Sequence, residues 1–374
     1  MRIIIDCQPL LHHCVHPSAS RFIIDFHKHL LQKGDETEWL FIMDKDFAEN
    51  EVLKELPSKN MVFKKIFPYR LGWKLWYDYQ LPAFIKNKAD LLIITGGIAS
   101  SSSIAQFTWI ANMNGKNQSK KNKSYFNFYK SRLKKTIERS KIIFTASQKN
   151  KQQIIQQYGL DEKKIIVIRS TADKGFRVLS WPEKESVKTK YAAGKEYFIV
   201  VVEGQQQGLV NLLKAFSLFK KRLQSNMQMV FAGNELKSDM DFIEKLETFK
   251  YRQDIHIYDN ISNDDLKILI SAAYALVHSF YEDDPGTTIL NAFKADLPVI
   301  VSDEGSLREI AADAALYASI HNPEILATQL MLLYKDENLR RQLIEKGKSQ
   351  WQQFNWDESI KKLQDAILRA ANNS

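Results

Sequence analysis

Three consecutive acids, Glu282, Asp283 and Asp284, lead into Gly286 and a helix-compatible run from Thr287 to Lys294. Upstream, Ala275 to His278 is an apolar run short enough for a central strand, and Val299 to Ser302 is strand-like again. Strand, turn, helix and strand in that order make a βαβ unit, which places the acidic turn at a helix N-terminus. A helix start presents unpaired backbone N–H groups and the positive end of its dipole, so it holds phosphate. In open α/β sheets ligands sit beyond the carboxyl ends of the strands. Glu282, Asp283, Asp284 and Gly286 are therefore expected to line a nucleotide site, with Thr287 in the first helical turn.

The elements that must position this turn are legible along the chain. Arg2 to Ile5 reads as a first strand, and a helix over Arg21 to Gln32 carries Phe22, Ile23, Phe26 and Leu30 at helical spacing. Trp39 to Met43, Met61 to Ile66, Leu91 to Ile94, Thr108 to Met113, Ile142 to Ala146 and Ile165 to Ile168 follow as strand candidates. Ser170 to Lys195 is charged and poor in large apolar residues, and reads as a linker. Alternation resumes with Phe198 to Val202, a helix over Leu209 to Arg222, Gln228 to Ala232, a helix over Asp239 to Phe249, and Ile255 to Tyr258. Repeated β-then-α order implies parallel, doubly wound sheets. The expected division is 1–169 with 357–374, a linker over 170–195, and 196–356. The chain has 374 residues, which is too long for one ordinary core.

Composition excludes several classes. Hydrophobic residues make up 44% and charged residues 26%, an ordinary globular balance. Cys7 and Cys14 are the only cysteines and lack CxxC spacing, so a disulfide scaffold is excluded and a cytoplasmic location expected. The apolar start, Ile3 to Ile5, ends at Asp6, so neither a signal peptide nor a spanning helix is expected. The net charge of +9 is clustered: between Lys116 and Lys151 stand twelve Lys or Arg against one acid, Glu138. Tyr125, Phe126, Phe128 and Tyr129 thread this segment, which suits a solvated basic face or contact with an anionic membrane surface, peripheral at the inner face. No nucleic-acid-binding signature accompanies the charge, so nucleic acid is not expected as a partner. His12, His13, Cys14 and His16 crowd one loop at a spacing that matches no established ligand set, and no metal is expected.

The stretch from Ala273 to Ala315 resembles the C-terminal signature of family 4 (group 1) retaining glycosyltransferases of GT-B fold. Leu290, Ala292, Pro298, Val299 and Ile300 fall in place, followed by Ser302, Ser306 to Leu307, Glu309 and Asp313 to Leu316. Leu209 to Phe216, Phe231 to Gly233 and Phe354 to Trp356 extend the likeness over most of the chain. The resemblance implies an α/β GT-B fold, with two Rossmann-like domains facing across a cleft and a C-terminal helix crossing back to the first. It implies transfer of a sugar from a nucleotide-sugar donor to a glycan or lipid-linked acceptor, with retention and without metal or other cofactor.

Several donor-site positions of that family differ here. Its pair of glutamates with seven residues between them becomes Asp283 and Asn291, or Glu282 and Asn291 with eight between; Asp283 and Glu282 are the catalytic candidates. Its Arg and Lys after the first strand of the second domain fall on Val202 or Glu203 and on Gln207, leaving Gly204, Gly208 and the helix start to meet the diphosphate. Its glycine-rich first loop becomes Pro17 to Phe22, which keeps Arg21, and its His falls on Ala111. Donor binding is thus expected from Gly286, Thr287, Asn291, Glu309, Gly204, Gln207, Gly208 and Arg21. These substitutions leave a second expectation open, a catalytically silent relative that binds glycan or nucleotide or regulates an active transferase. Gly96 and Gly97 end a strand and allow either ligand approach or a plain tight turn.

Overall fold

The structure is a computed structural model, and it describes residues 1–11, 17–32, 37–43, 60–63, 72–110, 123–202, 208–234, 236–278, 284–303 and 305–372. The chain divides into two compact units, Met1–Arg169 with Trp356–Ser374, and Ser170–Asn355.

The first unit is built on a seven-stranded sheet in the order β3-β2-β1-β4-β5-β6-β7, every pair parallel. Its strands are β1 (Arg2–Asp6), β2 (Glu38–Met43), β3 (Met61–Phe63), β4 (Leu91–Ile94), β5 (Ala105–Trp109), β6 (Ile142–Thr145) and β7 (Ile165–Val167). Parallel strands need crossovers that cover both faces, so β1 is apolar on both. Ile3 and Ile5 enter one core with Phe22 and Phe26 of helix α1 (Pro17–Gln32), and Ile4 enters the other with Leu92 and Ile94. The C-terminal helix, Trp356–Asn372, belongs to this unit because Ile360, Leu363, Ala366 and Ile367 fall on one face and join the first core. Trp356 anchors it between Phe22 and Phe26, at centroid distances of 5.6 and 5.4 Å.

Two other helices of this unit are α2 (Lys123–Arg139) and α3 (Gln148–Tyr158). The strand expected at Thr108 to Met113 begins three residues earlier, at Ala105. Gln106 looks like a loop residue, but its amide is satisfied by Ser100, donating to the Ser100 carbonyl at 3.0 Å and accepting its N–H at 2.9 Å. Residues 111–113 lie outside the described residues.

The second unit carries a six-stranded parallel sheet in the order β10-β9-β8-β11-β12-β13. The strands are β8 (Tyr197–Val202), β9 (Gln228–Gly233), β10 (Ile255–Asp259), β11 (Ala275–His278), β12 (Val299–Val301) and β13 (Ala315–Tyr317). This is the doubly wound order that reverses between its two central strands, here β8 and β11. Tyr197, Ile199 and Val201 face one core while Phe198, Val200 and Val202 face the other. The covering helices are α4 (Trp181–Tyr191), α5 (Leu209–Leu223), α6 (Met240–Glu247), α7 (Asn263–Ala272), α8 (Thr287–Lys294), a short α9 (Leu307–Ala311), α10 (Pro323–Lys335) and α11 (Glu337–Trp351).

The stretch expected as a bare linker, Ser170 to Lys195, contains α4. A reciprocal cap starts it, with the Ser180 N–H donating to the Glu183 carboxylate at 2.8 Å. Val187 and Tyr191, four residues apart, seat it on the second unit's core. Two anchors are too sparse to register as helical periodicity in a charged sequence.

Candidate functional site

In the second unit the chain leaves each central strand at its carboxyl end and enters a helix, β8 into α5 and β11 into α8. Each helix is preceded by a glycine in the left-handed region, Gly208 at φ 86° and Gly286 at φ 72°. Both glycines are also required by packing. A Cβ on Gly208 would collide with Ile320, and one on Gly286 with Ile310 of α9. The backbone is thereby held down against α9 and against the approach to α10.

Three helices of this unit, α5, α8 and the short α9, lack a side-chain cap. Asp239, Ser262, Asn322 and Asp336 each lend a side-chain oxygen to a first-turn N–H of α6, α7, α10 and α11. Neither α5 nor α8 has a side-chain cap. No described residue accepts from the first-turn N–H groups of Leu209, Val210 and Asn211, or of Thr287, Thr288 and Ile289. Among the described residues, the two helix starts that follow the central strands are thus uncapped, at the sheet's topological switch, where an anion would be met by partial positive charge from both.

Around α8 the polar side chains hold one another. Asp284 is 7% exposed, so it is not the solvated acid that its sequence position suggests. Its Oδ1 accepts the Gly286 N–H at 2.6 Å, and its Oδ2 lies 3.1 Å from Nε2 of His278, the last residue of β11. The Ser306 hydroxyl donates to the Asp284 carbonyl at 3.3 Å. Thr287 Oγ1 pairs with Ser170 Oγ at 2.6 Å. Asn291, expected to accept from ribose hydroxyls, is 8% exposed and spends its Oδ1 on the Asp173 N–H at 2.7 Å. That bond and Lys294 Nζ on the Asp173 carbonyl at 2.8 Å fasten the segment after Ser170 to α8. The absent carboxylate at position 291 is thus matched by a different duty for the amide. Glu309 is exposed in the first turn of α9. Glu282, Asp283, Gly204 and Gln207 lie outside the described residues, as do His12, His13, Cys14, His16 and Ala111.

The first unit differs at its own switch. Gly96 and Gly97 follow β4, but Tyr125, Pro9 and Tyr129 occupy the space their missing side chains leave, and the Tyr125 hydroxyl donates to the Gly96 carbonyl at 2.7 Å. These glycines serve protein packing, the tight-turn alternative. Beside them Asp6, at the end of β1, is fully buried; burial raises its carboxyl to about 7, against Trp76 Nε1 at 3.2 Å and the Gln8 N–H at 3.2 Å. Arg21 on α1 faces Asp25 at 3.8 Å. Three of the four aromatic residues threaded through the basic segment also turn inward. Tyr125, Phe126 and Tyr129 of α2 are buried, leaving Lys130, Lys134 and Lys135 exposed. The apolar area of Tyr125, Phe126 and Tyr129 is therefore already consumed by the core, while Phe128 is half-buried. No helix among the described residues is long and apolar enough to cross a membrane, and no group of three or more His, Cys, Asp or Glu among them could hold a metal ion.

Comparison with known proteins agrees with this geometry. The family described as Glycosyl transferases group 1 matches residues 183–350, from within α4 to within α11. Residues 183–350 of the second unit thus match a group 1 glycosyltransferase domain. Similarity to curated proteins is partial. The chain is 21% identical over 227 residues to O-antigen chain mannosyltransferase B of Escherichia coli, covering 60% of each, and 27% identical over 213 residues to O-antigen chain mannosyltransferase RfbU of Salmonella typhimurium, covering 53% of this chain and 51% of that one. The chain thus matches roughly half to three-fifths of these relatives' length. The structure of Anabaena HepE in complex with UDP and glucose superposes at a TM-score of 0.74, with 12% identity, over 99% of this chain and 100% of that one. At that identity the likeness establishes the fold, which is GT-B. The matched residues contain the starts of both α5 and α8.

His278 and Ser306 were not foreseen as site residues. The available signal for His278 was a lone polar residue closing an otherwise apolar central strand.

Proposed function

We propose that the protein is a glycosyltransferase that moves a sugar from a nucleotide-sugar donor to a glycan or lipid-linked acceptor, retaining the anomeric configuration and using no metal. The observation that carries this reading is the pair of uncapped helix starts, α5 and α8, at the switch point of the group 1 domain. A sugar nucleotide's diphosphate gains negative charge as the glycosidic bond to it breaks, and preorganised N–H groups are suited to that charge. Two of the matched relatives are O-antigen chain mannosyltransferases, which favours mannose as the sugar and an O-antigen-type glycan as the acceptor. Lys130, Lys134 and Lys135 support docking to an anionic membrane surface by charge alone, where a lipid-linked acceptor would reside. Glu282 and Asp283 remain the candidates for work at the anomeric carbon.

Incubation with radiolabelled GDP-mannose, UDP-glucose and UDP-N-acetylglucosamine and a lipid-linked acceptor extract tests the reading. Transfer of label from at least one donor, abolished by Gly286→Ala and by Asp283→Ala, is expected. Binding of none of these nucleotides would overturn it.

A further inference from the structure

We propose that His278 is a binding residue of this site, donating a hydrogen bond from Nδ1 to an oxygen of an anionic diphosphate ligand. The inference deepens the donor reading above and rests on it for the ligand's identity, but not for its chemistry. His278 ends β11, a strand otherwise made of buried Ala275, Leu276 and Val277, and its side chain is 8% exposed. Its Nε2 is committed to Asp284 Oδ2 at 3.1 Å. Asp284 is itself fixed by the Gly286 N–H and by the Ser306 hydroxyl on its carbonyl, so the ring's partner cannot swing away. The other ring nitrogen, Nδ1, is buried and has no hydrogen-bond partner among the described residues.

A buried polar atom without a partner is costly, and an apolar residue at position 278 would fill the strand end without that cost. The orphan is therefore best explained by a ligand. Its class follows from the surroundings. As a neutral ring with Nε2–H on the carboxylate, Nδ1 is an acceptor; as an imidazolium it is an N–H donor. The starts of α5 and α8 flank the switch point and favour an anion, whose oxygen can accept a hydrogen bond from Nδ1. Among Val202, Gly208, His278, Asp284, Gly286 and Thr287, the described residues closing these strand ends, His278 alone can carry positive charge.

The test compares wild type with His278→Gln, whose amide nitrogen can still reach Asp284 but which places no nitrogen at the Nδ1 position. Titration calorimetry with GDP, UDP and inorganic pyrophosphate is expected to show affinity falling on the order of ten- to hundredfold in the variant, with guanosine and uridine unaffected. Equal diphosphate affinity in wild type and variant would overturn the proposal. If the variant is unstable, nitrogen NMR of wild-type protein labelled at histidine serves instead. The Nδ1 resonance of His278 should move when pyrophosphate is added, and a resonance that stays put would refute the contact. Binding of pyrophosphate with that signature, but of no sugar nucleotide, would sustain the inference and defeat the donor reading. Binding of neither would defeat both.

Discussion

Replacing Gly286 by alanine separates two costs that the structure imposes at the start of α8. Gly286 has φ of 72° and its missing side chain is filled by Ile310, whereas Gly194, in the same unit, has φ of 73° and open space within 4 Å of where a Cβ would lie. Gly194→Ala therefore carries only the left-handed backbone penalty, about 1 kcal/mol. Gly286→Ala adds overpacking against Ile310, about 1–3 kcal/mol more, for a total of roughly 2–4 kcal/mol. The Ile310 atom nearest the new carbon is Cδ1, which Ile310→Val removes at a cost of its own of about 1 kcal/mol. The double variant Gly286→Ala with Ile310→Val should then be less destabilised than the sum of the singles, by about 1 kcal/mol or more. Urea denaturation followed by fluorescence measures all four proteins. If Gly286→Ala is no more destabilising than Gly194→Ala, the close packing of this turn on α9 is wrong, and with it the claim that its backbone is held in place for a ligand.

Further outcomes follow from other contacts. Asp6, raised from 3.8 to about 7, favours the folded state fully at low pH and loses about 4 kcal/mol as pH rises from about 4 to 7; His27, lowered by burial from 6.5 to about 4, loses about 3 kcal/mol as pH falls across nearly the same window. Denaturation profiles should therefore slope upward with pH in Asp6→Asn and downward in His27→Gln, and parallel profiles would count against both assignments. Asn291→Ala leaves the Asp173 N–H without its acceptor and should cost about 1–3 kcal/mol, whereas Asn291→Asp keeps an acceptor and should cost less; equal losses would show that the bond contributes nothing. Changing Lys130, Lys134 and Lys135 together to Glu should abolish sedimentation with anionic liposomes while leaving the far-ultraviolet spectrum unchanged. Equal pelleting of the triple variant and wild type would remove α2 from the membrane contact.

The sheets were readable in the sequence because central parallel strands are apolar on both faces, and runs such as Ile3 to Ile5 and Phe198 to Val202 have no polar interruption. What escaped was polar structure resolved by distant partners. Gln106 looks like loop until Ser100 is seen to satisfy its amide, and α4 looks like linker until Val187 and Tyr191 are seen against the core. At the site, the glycines at 208 and 286 were legible as helix starts, yet their contacts with Ile320 and Ile310 join segments far apart in sequence. The same holds for Asn291, whose partner is 118 residues away, so its role could be read only as the loss of a carboxylate. Tyr125, Phe126 and Tyr129 show the limit of charge patterning, since a basic segment gives no sign of which way its aromatics point until the helix is placed on its core.

The central claim is that a sugar nucleotide's diphosphate sits at the carboxyl ends of β8 and β11, on the open starts of α5 and α8. Amide NMR of the deuterated, nitrogen-labelled protein during titration with GDP-mannose and UDP-glucose tests it most directly. Saturable shifts are predicted at the N–H groups of Leu209, Val210, Asn211, Thr287, Thr288 and Ile289, with the other helix starts of the second unit unmoved. Saturable binding that leaves these six amides untouched would contradict it.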